Sequence, residues 1–198
     1  MDGRLFTLDD AWCGGFYEVA LEFGPRSDDR LRSAIAALWQ HPDLEGCFLD
    51  GTLEPSKQKR VSPASLDELS HLLGVARMPN GLRVACGSCT VREEDGPDWL
   101  DFYIPMGSLA NVYPAGGFPA GTEADWPGTW RSEVEDWLAE IGRSVGRAVA
   151  FRLGLIGFEV SGADYAAHVA AKGIPAQRFI GYLWPVGSRI EYRRRSVG

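Results

Sequence analysis

The chain has 198 residues, 45% of them hydrophobic and 24% charged, with a formal charge of −7. That is enough material for one core, and too acidic for a general nucleic-acid binder, which needs a basic face against phosphate. No apolar run approaches the roughly 20 residues that span a bilayer, Met1–Arg4 leads into no signal-like apolar region, and four cysteines make no disulfide scaffold, so a cytoplasmic protein of one domain (1–198) without a membrane segment is expected.

Residues 16–23, FYEVALEF, alternate as a strand, with Tyr17, Val19, Leu21 and Phe23 on one face and Phe16, Glu18, Ala20 and Glu22 on the other. Gly24-Pro25 ends it. Ser27 or Asp28 caps a helix that carries Leu31, Ile35 and Leu38 and stops before Pro42. A short strand over 46–50, a Pro-punctuated loop over 52–65 and a short helix over 66–73 follow. Pro79-Asn80-Gly81 turns the chain into a strand over 82–91, and Glu93-Glu94-Asp95-Gly96-Pro97-Asp98 turns it again into the aromatic strand 99–104.

The second half repeats the order. A helix over 132–150 presents Val134, Leu138, Ile141 and Val145 as one stripe; strand 155–161, a small helix 163–172 and strand 178–184 complete it. Between them, 111–130 carries Pro114, Pro119 and Pro127 with Tyr113, Phe118, Trp126 and Trp130, which suits an ordered aromatic flap. The basic end, Tyr192-Arg193-Arg194-Arg195, is expected to be a solvated tail. These elements predict an α+β fold: an antiparallel sheet with helices packed on one face, built either from two βαββ repeats (16–91 and 99–187) or as one sheet without internal symmetry.

Helices on one side leave the other face of the sheet for solvent, a partner or a ligand. Period-2 sorting puts Glu18, Glu22, Asp101, Tyr103 and Glu159 there, with Glu159 inside an otherwise apolar strand. Carboxylates among aromatic rings suit a cationic or polar organic ligand, and equally suit general acid–base work. Cys86-Gly87-Ser88-Cys89 is the one formal metal-like motif, but in extended chain its two thiols face opposite sides and no second pair completes four ligands, so no metal and no cofactor is expected. There is no nucleophile elbow, phosphate loop or dinucleotide fingerprint, and no catalytic residue is assigned.

A twice-repeated β-α-β-β order over residues 16–184, with acids and rings on its open face, resembles the gyrase-inhibitor-like effector-binding domains in architecture. The resemblance implies a pocket between the repeats, with Glu159 as an acid meeting a cation and Tyr103, Tyr182 and Trp184 as walls. Three functions stay open: a small-molecule binding domain with Glu18, Asp101, Glu159 and the ring residues, Trp126 as its cover; an immunity- or antitoxin-like module meeting a basic protein partner; and an enzyme using Glu159 and Asp101 as acid and base.

Overall fold

The computed structural model describes residues 4–63, 71–114 and 129–196. Alternation is at work from the first strand, β1 (Phe16–Gly24). Its Tyr17, Val19, Leu21 and Phe23 enter the main core, and Ala20 enters a second cluster on the opposite face. Each such side chain contributes about 1.5–3 kcal/mol when fully buried. Ser27 then caps α1 (Asp28–Leu38), its hydroxyl accepting from the Arg30 amide at 3.4 Å, with Asp28 and Asp29 in the first turn where the helix dipole favours acids.

The remaining strands are β2 (Leu44–Phe48), β3 (Leu72–Arg77), β4 (Arg83–Arg92), β5 (Asp98–Pro105), β6 (Leu153–Phe158), β7 (Gly181–Val186) and β8 (Arg189–Arg193); the helices are α2 (Met106–Ala110), α3 (Thr129–Ala148) and α4 (Ala166–Lys172). All eight strands form one antiparallel sheet in the order β2-β3-β4-β5-β1-β6-β7-β8. The fold is α+β. β1 lies at the centre between β5 and β6, so the two connections carrying α1 and α3 run across the same face and pack on each other there. On that face Trp39 lies across β2 and β3: a Cβ at Gly46 or Gly74 would overlap its ring, and its indole N–H donates to Ser88 Oγ at 3.0 Å.

Four expectations change. Helices do not keep to one face, because α4 packs Ala166 and Val169 on the other side against Ala20, Trp99, Leu153 and Leu155. The helix expected over 66–73 falls mostly outside the described residues, and Leu72 and Leu73, its last two positions, belong to β3. The basic end is no free tail: Ile190 and Tyr192 of β8 pack against the main core, Arg194 grips Asp136 through two hydrogen bonds of 2.8 and 2.6 Å, and Arg195 approaches buried Glu135 at 3.2 Å. Finally, each half runs strand, helix, then strands, yet the sheet order is not that of two halves exchanged by a two-fold axis. β1 borders β6, the second strand of the other half, whereas β5 borders β4, the fourth. Most of the expected flap also lies outside the described residues; of its rings, Tyr113 and Trp130 are described, buried and 6.1 Å apart between centroids.

Candidate functional site

The face that carries Glu18, Glu22, Asp101 and Tyr103 is covered rather than open. Residues 4–13 lay Phe6 and Trp12 over Phe48, Leu73, Val75 and Ala85, while the segment after β6 and α4 cover the β6–β7 side. Beneath these covers the four acids and rings of β1 and β5 are all at most 5% exposed. β1 and β5 pair with Ala20 opposite Asp101 and Glu18 opposite Tyr103, so Glu18 and Asp101 are diagonal neighbours on one face.

Ser161 ties the two acids together. Its amide (3.0 Å) and that of Val160 (2.7 Å) donate to Glu18 Oε1, and its hydroxyl donates to Asp101 Oδ1 at 3.2 Å. Neither acid makes an ion pair among the described residues. Burial raises the Glu18 carboxyl above the ordinary range, opposed by the two amides and reinforced by Glu159. Asp101 is pushed up to about 7, first by burial and then by the Glu18 charge, with the Ser161 hydroxyl pulling the other way. Two carboxyls this close in a low-dielectric site favour a state in which one keeps its proton near neutrality. Cys89 lies directly across from Asp101, and its half-buried thiol is pushed up to about 12 by burial, with Asp101 and Glu18 adding to the effect. Cys86 is fully buried in the main core on the other side of the sheet, as extended chain requires. No group of three or more His, Cys, Asp or Glu among the described residues is placed to hold a metal ion.

Tyr103 completes the floor. Its ring passes over Gly87, where a Cβ would strike the phenol, stacks at 4.4 Å from Phe16, and its hydroxyl contacts His71 Nε2. Burial drives the Tyr103 hydroxyl up and the His71 imidazole down, so both are held neutral.

The other expected site residues lie apart. Glu159 is not inside a strand: β6 ends at Phe158, and Glu159 adopts a left-handed backbone (φ 46°) that breaks the alternation and sends Val160 into the covered face. Its exposed carboxylate rests over Gly15 and acts on Glu18 only as a nearby charge. Tyr182 shares a row with Asp101 but three strands away, about 14 Å at ordinary strand spacing. There its buried hydroxyl donates to Asp164 Oδ2 at 3.0 Å, while Asp164 Oδ1 meets His168 Nδ1 at 2.7 Å. Trp184 is half-buried at the edge of the α4 layer. Trp126 lies outside the described residues. The structure therefore unites Glu18, Asp101 and Tyr103, borders them with Glu159, and separates Tyr182 and Trp184.

Grooves on the described surface include one of about 530 Å³ beside Leu5, Leu82 and Val112, one of about 340 Å³ beside Ile174 and Trp184, and one of about 570 Å³ between the end of α3 and the β7–β8 turn. Ser161, Cys89, Phe16 and His71, which frame the acid pair, carry no spacing in the sequence that marks them. Only strand alternation gives a signal, by placing Phe16 on the Glu18 face of β1.

Charge is divided across the sheet. Among the described residues, 4–114 carry 15 acids against 10 bases, with Glu18, Glu22, Glu54, Asp98 and Asp101 of those acids buried, and 129–196 carry seven against ten. The acidic part supplies β1 to β5, and the basic part β6 to β8. At the β4–β5 turn Glu94 and Asp95 are exposed, with Asp28 and Asp29 of α1 alongside. Beside them stands exposed Tyr165, its hydroxyl on Glu93 Oε1 at 3.1 Å and its ring edge-on to Trp99 at 5.9 Å. Compared with models of protein families, with curated proteins and with solved structures, the chain matches none of them.

Proposed function

We propose that the protein is an interaction module, of the immunity or antitoxin kind, that takes a basic partner protein on the acidic end of its sheet. The observation that carries this reading is the group of exposed acids Asp29, Glu94 and Asp95 at one end of the sheet, beside Tyr165 held on Glu93. Glu18 and Glu22 face inward and accept from the protein's own amides, whereas Asp29, Glu94 and Asp95 are exposed and make no ion pair among the described residues. Tyr165 adds a pre-ordered aromatic anchor, and exposed Val91 an apolar neighbour; a fixed ring amid unpaired charge supplies both affinity and steering. Cross-linking in cells followed by mass spectrometry, then association kinetics with the recovered partner, tests it. The partner is expected to be basic, its association rate to fall with salt, and charge reversal at Glu94 and Asp95 to slow association without unfolding the chain. An acidic partner, or a salt-independent rate that the reversal leaves unchanged, refutes the proposal.

A second reading has one observation in its favour. Glu18 Oε2 and Asp101 Oδ2 accept no hydrogen bond among the described residues, and no guanidinium or ammonium reaches them, so a small organic cation would find two acceptors there. Movement of the segment 159–165 would have to admit it.

A further inference from the structure

We propose that the groove between the last turn of α3 and the β7–β8 turn binds a small organic anion: an apolar body, flat enough to lie on its floor, bearing a carboxylate or phosphate. The groove holds about 570 Å³, within the roughly 300–1,000 Å³ of small-molecule sites. Its floor is Phe151, 5% exposed, with Pro185 and Ile190. Gly146 makes this floor continuous, since a Cβ there would overlap both the Ile190 and Phe151 side chains.

The rim is cationic. Arg143, Arg147 and Arg189 all line it. Arg143 is steered by a hydrogen bond from Nε to the Ile190 carbonyl at 3.3 Å. Among the described residues Glu140 is the only carboxylate in ion-pair contact with these arginines, and it is divided between Arg147 at 3.0 Å and Arg143 at 3.7 Å. Arg189 is exposed and makes no hydrogen bond or ion pair among the described residues. The carbonyl end of α3 adds about half a negative charge nearby, which one further guanidinium outweighs. Planar guanidinium groups recognise carboxylate and phosphate through paired N–H donors, and three of them over an apolar floor select an anion that also has an apolar part. This site is on the basic side of the sheet, away from the surface proposed for a protein partner, and does not depend on that proposal.

The test titrates the full chain with phenyl phosphate and with inorganic phosphate while amide resonances are followed. Saturable binding of phenyl phosphate at millimolar concentration or below is expected, with the largest shifts at Gly146, Gly187, Ser188 and Arg189. Arg189→Ala and Arg147→Ala are each expected to weaken it about tenfold, the equivalent of about 1.4 kcal/mol, while Arg60→Ala, whose guanidinium pairs with Glu45 on the far side of the sheet, leaves it unchanged. Absence of saturation, shifts centred elsewhere, or wild-type affinity in Arg189→Ala and in Arg147→Ala overturns the proposal. So does inorganic phosphate binding as tightly as the aryl ester, because the apolar floor would then contribute nothing.

Discussion

Replacing Asp101 by Asn should remove a pH-dependent loss of stability that the wild-type chain suffers on the alkaline side. Asp101 is 3% exposed and its carboxyl is raised, by burial first and Glu18 second, to about 7. In the unfolded chain the same group titrates near about 3.9. The folded state therefore holds the proton more tightly, so its contribution is full below about pH 4 and is lost as pH climbs to about 7, a total of about 4 kcal/mol at 1.36 kcal/mol per unit. Asn keeps an acceptor for the Ser161 hydroxyl and turns a donor toward Glu18, so the site stays satisfied without a charge. Between pH 5 and pH 8 the stability of Asp101→Asn relative to wild type should rise by about 3 kcal/mol. With a urea m-value of about 2 kcal/mol/M, that is a relative midpoint gain of about 1.5 M. Urea titrations of both chains at the two pH values measure it, and comparing the chains cancels the titrating groups that are not coupled to Asp101 as Glu18 is. A difference between the chains that is the same at pH 5 and pH 8 would refute the argument that Asp101 is protonated in the fold.

Ser161→Ala should cost about 1 kcal/mol, the usual worth of one hydrogen bond, and more at pH 8 than at pH 5 because its hydroxyl donates to the charged form; equal losses at both pH values would contradict the assigned bond. Glu135→Ala removes a buried carboxylate that pairs with Arg131 and Arg195 and accepts from Tyr17 at 2.5 Å, so a loss of about 3–5 kcal/mol by denaturant titration is expected, and a near-neutral effect would contradict these contacts. Gly74→Ala forces a methyl group into the Trp39 ring and should cost about 1–3 kcal/mol, with tryptophan fluorescence reporting the displaced indole; an unchanged midpoint would mean that Trp39 does not lie across β3. Of the four cysteines only Cys13 is exposed, so a thiol reagent at neutral pH should modify one site rapidly and the other three slowly; a second rapid site at Cys89 would show the covered face to be open.

Elements whose signal is local were legible in the sequence. β1 follows from alternation, α1 from Ser27 with its following acids, the β4–β5 hairpin from the turn residues between two apolar runs, and α3 from one stripe of four apolar residues. β3 was not, because Leu72 and Leu73 read as the end of the helix expected over 66–73, and the small apolar run that follows carries no alternation of its own until the sheet supplies it. β8 was misread for a physical reason. Its Arg189, Glu191 and Arg193 are what an edge strand uses to discourage further pairing, and the same charges in sequence look like a solvated tail. Only Ile190 and Tyr192, two apart, betray its inner face.

The face of each acid was legible and its surroundings were not, since what covers a sheet depends on connections far away in the chain. Once the covers are known, the inward carboxylates act as acceptors that fasten irregular segments to the sheet. Glu18 takes the Val160 and Ser161 amides, Glu22 takes the Ala166 amide at 2.6 Å, and Glu54 takes the amides of Leu5, Phe6 and Thr7 together with the Thr7 hydroxyl. Donors and depth of burial together rank their charge states. Burial alone would raise every one of them, yet Glu54, with four donor groups, is held below the ordinary range. Glu18, with two, is raised. Asp101, with a single hydroxyl and Glu18 as its neighbour, goes up to about 7. Glu54 gains more from its donors than its shallower burial costs, whereas Glu18 and Asp101 lie deeper with fewer donors, and Asp101 also faces the Glu18 charge.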